Sequence, residues 1–423
     1  MIIIGVFFLL LLISIPISLV LGMTSLVYMN QQSNMALLVN VPQKLFAGVE
    51  SFSLLAIPLF MLAGELMNSG GITSRLVDFA KKFLGHFRGG LAYVNVIANM
   101  FLASILGSAT AQTAMMTRVM VPEMEKEGYK REFAAATTAA SALLGPIIPP
   151  SMLFIIYSVG SGVSVGKMFM AGILPGILLA VSFIALIAFL GYRHNFPRSE
   201  RATLKQMASS FLKVIPALSV PLIIVGGILS GIFTATESAG VACFVAIVLG
   251  LFVTKDLKLS DFPKILTNAA ISTSSVTLLL AMAGWLSWVL TFDQVPQKIV
   301  AYMGDLTDNP YLFLLMVNVF LLLIGIIMDE MAVLIVLLPI FMPLVQAFHI
   351  DPIHFGVVIC MNATVGLLHP PVGAAIFIGS SVADVKYERL SIAVIPFLIV
   401  ALAILFLVTY IPAVTTWLPS ILS

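Results

Sequence analysis

The sequence predicts an all-α polytopic membrane protein with two inverted repeats, about ten spanning helices and two re-entrant hairpins. Three observations support this fold class. Of the 423 residues, 60% are hydrophobic and 9% are charged, whereas a soluble domain carries about 25% charged residues. Apolar stretches recur at the length that a bilayer requires. Two of these stretches are interrupted by a Gly-to-Pro-Pro motif, at positions 221 residues apart.

Ten apolar segments satisfy the requirement of about 20 residues for one membrane span. They are 1–21, 22–39, 52–69, 133–158, 170–192, 214–233, 236–253, 270–291, 353–382 and 391–412. The first segment lacks a basic n-region and a small-residue cleavage site, so we expect a retained span rather than a signal peptide.

Two further apolar segments, 91–122 and 311–346, are too long for one span and have polar or glycine-rich middles at 107–110 and 325–330. We predict that both are re-entrant hairpins, the first opening from the cytoplasm and the second from the periplasm. Most Lys and Arg then fall in loops on one side, as the positive-inside rule requires of cytoplasmic loops. Both termini are predicted to lie outside.

The two halves of the chain show a repeat. The matched positions are Pro149-Pro150 with Pro370-Pro371, Pro175 with Pro396, Gly107 with Gly325, and Pro122 with Pro339. The spacing is 221 residues for the first two pairs and 218 and 217 for the other two. Each half contains five crossings, and this odd number predicts inverted topology.

The repeat divides the chain into five parts. These are scaffold helices and an arm at 1–51, a transport core at 52–192, a basic cytoplasmic linker at 193–213, a second scaffold and arm at 214–269, and a second core at 270–423. The arms, 40–51 and 255–268, are predicted to be amphipathic helices in the membrane interface. Ordinary surface connectors are the alternative.

The interrupted stretches predict where the chemistry takes place. Pro-Pro must break a helix, because proline lacks a backbone donor and clashes with the preceding turn. The freed carbonyls and amides are tolerated in a membrane only where they line a protein cavity. Two such breaks in matching halves indicate the binding site of a secondary transporter. Freed carbonyls and hydroxyls suit an alkali cation, and freed helix amides attract an anion.

Candidate residues at the hairpin tips and breaks follow from this argument, and each has an alternative. Ser and Thr in membrane helices often only bond the preceding turn or pack helices, and the breaks themselves could be structural kinks. Asp329 is an ionisable group at membrane depth, which favours a functional role, or it is a charge exposed at a turn. His369 is either a proton-sensitive gate or a satisfied buried imidazole.

Enzyme motifs are absent from the sequence, which contains no Walker A motif, no His/Cys cluster with metal spacing and no G-x-S-x-G elbow. We therefore expect no enzyme and no nucleic-acid partner. Cys243 and Cys360 lie in apolar runs and are predicted to be core residues rather than a disulfide.

Residues 54–65 (LLAIPLFMLAGE) followed by 145–151 (GPIIPPS) resemble the large membrane subunit of tripartite ATP-independent periplasmic (TRAP) transporters. The resemblance extends over the whole chain. It implies an elevator-type secondary transporter of the bacterial inner membrane that imports organic acids with sodium as the coupling ion and without another cofactor. It also implies a soluble periplasmic binding protein and a small four-helix membrane subunit, which we expect to be separate.

The resemblance and the repeat together assign roles to individual residues. Predicted sodium-binding residues are Ser108, Gly145, Ile148, Pro150, Gly325, Met328, Gly366, His369 and Pro371. Predicted substrate-binding residues are Ser104, Thr110, Ser151, Asp329 and Thr364. The chain resembles the sialic acid branch, with C4-dicarboxylates as the alternative substrates. A stand-alone sodium–carboxylate symporter and a structural or assembly subunit are the alternative functions.

Overall fold

The computed structural model describes residues 2–13, 15–31, 35–199 and 201–422, and these residues form helices and the turns between them. The side chains at 2–4, 35, 36, 104–106 and 422 are outside this description. Seven of the described helices are long and apolar enough to cross a membrane, or eight if a bent pair counts as one span. The prediction of an all-α polytopic membrane protein is confirmed.

The first half contains ten helices within the described ranges. They are α1 Ile2–Leu12, α2 Ile17–Gln31, α3 Val41–Ala47, α4 Ala56–Ser69, α5 Ile72–Leu84, α6 Gly90–Leu106, α7 Ala109–Lys126, α8 Arg131–Ala142, α9 Met152–Ser161 and α10 Val165–His194. Short 3₁₀ turns at Met35–Asn40 and Phe52–Leu55 flank α3.

The second half begins with two long helices and ends with a short C-terminal one. Its helices are α11 Leu204–Leu229, α12 Ala235–Val248, α13 Phe262–Phe292, α14 Val295–Leu306, α15 Pro310–Ile324, α16 Glu330–Ala347, α17 Pro352–Gly366, α18 Ala374–Ala383, α19 Tyr387–Tyr410 and α20 Ala413–Leu422. A π-helical segment, Leu249–Thr254, continues α12.

Both predicted hairpins and both predicted breaks are present as helix–turn–helix units. The limbs α6 and α7 form the first hairpin, and α15 and α16 form the second. The first break lies between α8 and α9, and the second between α17 and α18. Their prolines therefore interrupt the helices as expected. The direction from which each hairpin enters the membrane stays a prediction.

Three predicted boundaries differ from the structure. The first two helices are separated near Pro16 rather than between 21 and 22, because Pro16 has no backbone N–H with which to continue α1. The predicted boundary at 269/270 lies inside α13, which is one continuous helix of 31 residues. The linker at 193–213 is partly helical, since α10 extends to His194 and α11 starts at Leu204.

The sequence analysis treated two helices as loops. The helix α5 carries four basic or acidic side chains, yet Ile72, Leu76 and Ala80 are buried along one face at helical spacing. The helix α14 occupies the corresponding place in the second half. Both join a scaffold helix to a hairpin, because α5 follows α4 and α14 follows α13.

The structure also corrects the repeat around the hairpins. Because α7 starts at Ala109 and α16 at Glu330, the spacing stays at 221 residues. Pro122 therefore corresponds to Pro343 rather than to Pro339, and Gly107 corresponds to Met328 rather than to Gly325. Ser108 and Asp329, which precede the two helices, also correspond to each other.

The two halves interlock through exchanged helices. The helix α9 of the first half packs on α16 and α17, and its counterpart α18 packs on α7 and α8. Gly356 makes room for this crossing, since a Cβ there would lie 2.4 Å from Tyr157 Cε1. The pairs α4–α12 and α2–α13 show the same exchange. The hairpins and broken helices thus form one shared body.

Candidate functional site

The tip of the first hairpin lies directly against the first break. Gly107 ends α6 with a φ of 58°, a conformation that favours glycine. A Cβ at Gly107 would lie 3.4 Å from the backbone nitrogen of Met152 and 3.6 Å from the carbonyl oxygen of Pro150. The backbone of the tip and the backbone of the break are therefore in contact.

In the second half the tip contacts its break at a different point, because at the common spacing of 221 residues Gly325 and Gly366 correspond to Ser104 and Gly145. A Cβ at Gly325 would lie 3.1 Å from Gly366 Cα, and a Cβ at Gly366 would lie 3.0 Å from Gly325 Cα. Only glycine at both positions allows this distance between the second tip and the end of α17. The structure thus places the first tip beside Pro150 and places Gly325 beside Gly366, whereas the roles of the predicted sodium-binding residues stay predictions.

The two hairpin tips also meet each other. The backbone N–H of Ala109 donates to Oε1 of Glu330 at 3.2 Å, and these residues are the first of α7 and α16. Glu330 is fully buried, and its Oε2 has no partner among the described residues. A buried carboxyl group therefore links the two half-sites.

The adjacent acid, Asp329, has the exposed position at a turn that the sequence left open as the alternative. It is exposed, and its Oδ2 accepts a hydrogen bond from the N–H of Met331 at 3.2 Å, as an N-cap of α16. The fully buried acid at this tip is Glu330, which was not among the predicted site residues. A substrate contact of Asp329 stays a prediction.

The first break is buried and is held by side chains. The hydroxyl of Ser151 donates to the carbonyl of Pro146 and accepts from the N–H of Phe154 at 3.3 Å, so it closes the break and caps α9. Gly145 lies against the side chain of Gln112, whose Oε1 would be 2.6 Å from a Cβ at Gly145. The Ile148 side chain contacts Gly176 of α10.

The second break is closed by backbone groups and is partly exposed. The N–H of Ala375 donates to the carbonyl of Leu367 at 3.1 Å, and the Tyr387 hydroxyl donates to the carbonyl of Val372 at 3.0 Å. Pro371 and Val372 are exposed. His369 is half-buried, with Nδ1 2.6 Å from the Pro370 carbonyl. The peptide bonds Pro149-Pro150 and Pro370-Pro371 are both cis.

The other predicted residues have local partners. The Thr364 hydroxyl donates to the carbonyl of Cys360 at 2.7 Å, which is the bond to the preceding turn that we gave as the alternative. The Ser108 and Thr110 hydroxyls are 3.0 Å apart. Met328 is buried at the second tip. Ser104 lies in α6, but its side chain is outside the described part of the structure.

A cavity of about 230 Å³ lies where the tips meet the scaffold helices. Its lining residues come from both tips, the first break, α4 and α13, and they include Ser108, Met152, Met331, Glu65 and Ser272. Asn268 Nδ2 is 3.5 Å from the carboxylate of Glu65. The sequence analysis gave Glu65 no role in the site, because its position near a span end suggested only a structural contact.

A second, larger cavity of about 510 Å³ lies at the other end of α9. Hydroxyl groups dominate its polar lining, which is formed by Ser51, Ser53, Ser158, Ser164, Thr234 and Thr236. The N-terminal end of α9 therefore lines one cavity and its C-terminal end lines the other. This volume is within the range of about 300–1,000 Å³ that is usual for small-molecule sites.

Comparison with known proteins gives consistent results. The sequence profile described as "Tripartite ATP-independent periplasmic transporter, DctM component" matches residues 4–414. The 2,3-diketo-L-gulonate TRAP transporter large permease YiaN of Escherichia coli is 40% identical, covering 88% of this chain and 87% of its own. DctM, the C4-dicarboxylate TRAP permease of Pseudomonas aeruginosa, is 38% identical, covering 89% of this chain and 88% of its own. The sialic acid permease SiaM of Vibrio cholerae is 36% identical, covering 90% of this chain and 89% of its own.

Two solved structures share the fold at low sequence identity. The YdaH transporter of Alcanivorax borkumensis superposes with a TM-score of 0.66 at 13% identity, covering 89% of this chain and 88% of its own. MtrF of Neisseria gonorrhoeae gives 0.58 at 12% identity, with 90% and 85% covered. Both likenesses bear on the fold alone. The sequence matches over nearly the whole chain show that this multi-pass inner-membrane protein belongs to the DctM family of TRAP transporter large permeases.

Proposed function

We propose that the protein imports a small organic acid anion together with sodium ions, and that it does so by an elevator motion of its core. The observation that carries this proposal is the contact of each hairpin tip with the helix break of its own half, Gly107 against Pro150 and Gly325 against Gly366. Each contact brings non-helical backbone against another part of the protein, which is where a membrane protein tolerates such backbone.

Sodium is the cation that we assign to these contacts. The proposed ligands in the first half are Ser108 and the carbonyls of Gly145, Ile148 and Pro150. In the second half they are carbonyls or side chains of Gly325, Met328, Gly366, His369 and Pro371. Hydroxyl and carbonyl oxygens are hard ligands, which suit a hard cation. The residues present fit a sodium ion without any further cofactor.

The convergence of α7 and α16 supports an anionic substrate. Their N-termini meet at the Ala109–Glu330 contact, and helix N-termini favour negative charge. The proposed substrate contacts are Ser104, Thr110, Ser151, Asp329 and Thr364, of which Ser151 and Thr364 already donate their hydroxyl hydrogens to backbone carbonyls.

The substrate class that we propose is a small carboxylate. The relatives named for 2,3-diketo-L-gulonate, C4-dicarboxylates and sialic acid are 40%, 38% and 36% identical to this chain. The sialic acid relative does not stand out among them, so the carboxylate group that the three substrates share defines the proposal. Sialic acid and a C4-dicarboxylate remain the two candidates.

The interlocked core supports the elevator motion. Because α9 and α18 each pack on the hairpin or broken helix of the other half, both half-sites belong to one body. The two cavities lie at opposite ends of α9. We propose that a small four-helix membrane subunit and a soluble periplasmic binding protein complete the system.

Reconstituted uptake tests the proposal. Purified protein with its small subunit should take up labelled 2,3-diketo-L-gulonate, succinate or sialic acid into liposomes only with an inward sodium gradient and the cognate binding protein. Uptake driven equally by potassium would overturn the sodium coupling. Uptake at the full rate without any binding protein would instead support the stand-alone sodium–carboxylate symporter.

Cross-linking tests the elevator motion. Thr236 lies in α12, within the predicted scaffold at 214–269, and Ser158 lies in α9, within the predicted core; both line the larger cavity. In a background with Cys243→Ala and Cys360→Ala, a bifunctional methanethiosulfonate reagent bridging Thr236→Cys and Ser158→Cys should abolish uptake, and a reductant should restore it by cleaving the disulfide bonds to the reagent. The single-cysteine variants serve as controls. Full uptake by the bridged protein would contradict the motion.

A further inference from the structure

A chain of buried carboxamides runs from α8 to the first break. Asn95 Nδ2 donates to Thr138 Oγ1 at 2.7 Å, and Asn99 Nδ2 donates to the backbone oxygen and Oδ1 of Asn95, both at 2.8 Å. Gln112 Nε2 donates in turn to the backbone oxygen and Oδ1 of Asn99 at 2.7 and 2.8 Å. All four side chains are fully buried.

These hydrogen bonds determine the orientation of the Gln112 carboxamide. The backbone oxygen of Asn99 can only accept, so the amino group of Gln112 must face it and the Gln112 oxygen must point away. That oxygen is buried and has no partner among the described residues. It lies against Gly145, where a Cβ would come within 2.6 Å of it. The series of hydrogen-bonded side chains therefore ends at Gln112 Oε1, an unpaired acceptor that faces the first break.

The second half repeats the pattern with different residues. Asn318 Nδ2 donates to Thr409 Oγ1 at 3.0 Å, and Asn362 Nδ2 donates to the backbone oxygen and Oδ1 of Asn318 at 3.2 and 2.7 Å. The Oδ1 of Asn362 is again buried without a partner in the described structure. Asn362 precedes Gly366 by one helical turn.

The two residues with unpaired oxygens, Gln112 and Asn362, do not occupy equivalent positions in the repeat. Gln112 lies on the second limb of its hairpin, α7, whereas Asn362 lies on the broken helix α17. The repeat alone therefore does not account for both unpaired oxygens. What they share is a place beside a helix break, which points to a requirement of the site rather than to a shared packing motif.

An unpaired buried acceptor is costly, by about 1–3 kcal/mol, so a ligand is expected at each oxygen. Carboxamide oxygens are ligands of hard cations. We propose that Gln112 Oε1 binds the sodium ion at the first break and that Asn362 Oδ1 does so at the second. This proposal rests on the proposed sodium coupling. It explains why position 145 is glycine, since any side chain would displace the Gln112 oxygen.

The test uses sodium itself as the probe. The purified wild-type protein should unfold at a higher temperature in NaCl than in KCl of equal ionic strength, because an ion that binds only the folded state stabilises it. Gln112→Met keeps the side-chain length but removes the oxygen, so it should reduce this sodium-specific increment. It should also raise the sodium concentration for half-maximal uptake about tenfold or more, as for groups that tune a metal site.

Two further variants separate ligand loss from simple destabilisation. Thr117→Val removes another buried, unpaired oxygen from the same helix, away from the break, and should leave the sodium increment unchanged. Gly145→Ala leaves Gln112 in place but displaces its oxygen, and should raise the sodium midpoint as Gln112→Met does. Asn362→Leu alone should also lower the sodium-specific increment in unfolding temperature. The double variant with Gln112→Met should lower this increment further than either single variant.

Each outcome decides between the proposals. A wild-type increment that persists in full in Gln112→Met, with only an equal loss of stability in both salts, would mean that the oxygen holds an ordered water and would overturn the assignment. A wild-type protein without any sodium increment and with sodium-independent uptake would overturn the proposed sodium coupling itself. If Gln112→Met does not fold, the sodium midpoint of Gln112→Asn decides the assignment, because this variant keeps a carboxamide but withdraws its oxygen from the break; an unchanged midpoint would overturn it.

Discussion

The two helix breaks are closed by hydrogen bonds from different groups. The first break is buried, and the hydroxyl of Ser151 bonds the carbonyl of Pro146 across it. The second break exposes Pro371 and Val372, and backbone bonds such as that from Ala375 to Leu367 close it. Val372 occupies the position that corresponds to Ser151, so the hydroxyl contact has no equivalent there.

The distance between the hairpin tip and the helix break also differs between the two halves. The first tip contacts its break through Gly107 at ordinary van der Waals distance, whereas Gly325 and Gly366 of the second half approach more closely. Side chains therefore hold the first half-site, and close glycine packing holds the second. Substitutions should affect the two half-sites by different routes, and the following predictions test this from the largest effect to the smallest.

Gly366→Val should have the largest effect. Its Cβ would lie 3.0 Å from the backbone of Gly325, so the second tip must move, and such overpacking costs about 1–3 kcal/mol. We expect a value near the top of that range and the loss of most uptake. Thermal unfolding and transport assays measure both effects. Gly226→Val is the control, since nothing lies within 4 Å of its Cβ position.

Glu330→Ala should destabilise the protein by about 2 kcal/mol, because the buried N–H of Ala109 loses its acceptor. Glu330→Gln retains an oxygen for this bond and should recover most of the stability, as thermal unfolding would show. If the two variants are equally stable, the contact does not hold the tips together. Uptake by Glu330→Gln then shows whether the charge itself is needed.

Ser151→Ala should cost about 1 kcal/mol, as expected for loss of an N-cap together with the bond to Pro146. The matched change in the other half, Val372→Ser, should stay within about 0.5 kcal/mol, since Val372 is exposed. Equal losses in thermal unfolding would contradict the difference between the breaks.

Asp329→Asn should have the smallest effect on stability, within about 0.5 kcal/mol, because Asn caps a helix as well as Asp does. The rate of substrate uptake by this variant then measures the contribution of the negative charge to transport. Reduced uptake with unchanged unfolding would support the predicted substrate role of Asp329. Unchanged uptake would leave only the capping role.

The sequence was sufficient to predict the features that covalent chemistry determines. Two consecutive prolines remove two adjacent backbone donors from a helix, so both breaks were predictable. Single prolines such as Pro122, Pro175 and Pro396 lie inside helices. The all-α fold was predictable from the lengths of the apolar segments. The helix α5 was missed because Arg75, Lys81 and Lys82 suggested a loop, although its buried residues recur at helical spacing. Pro339 was matched to Pro122 because the start of α16 was unknown, and Pro343 keeps the common spacing.

Burial at the site depends on packing that the sequence does not encode locally. Asp329 and Glu330 are adjacent acids, and only the meeting of α7 and α16 buries the second. The sequence placed Gln112 near the first tip, but the direction of its oxygen depends on hydrogen bonds from Asn95 through Asn99. Three-dimensional contacts of this kind cannot be inferred from residue type and spacing.

The continuity of α13 has a mechanical consequence. At a rise of 1.5 Å per residue, its 31 residues make a rod of about 46 Å, longer than the hydrocarbon core of a bilayer. A displacement at Phe262 is therefore transmitted to Phe292 through one continuous set of helical hydrogen bonds. The first half has joints instead, because Gly48 to Ser51 and a 3₁₀ turn separate α3 from α4. Any bending of the scaffold is therefore concentrated in the first half.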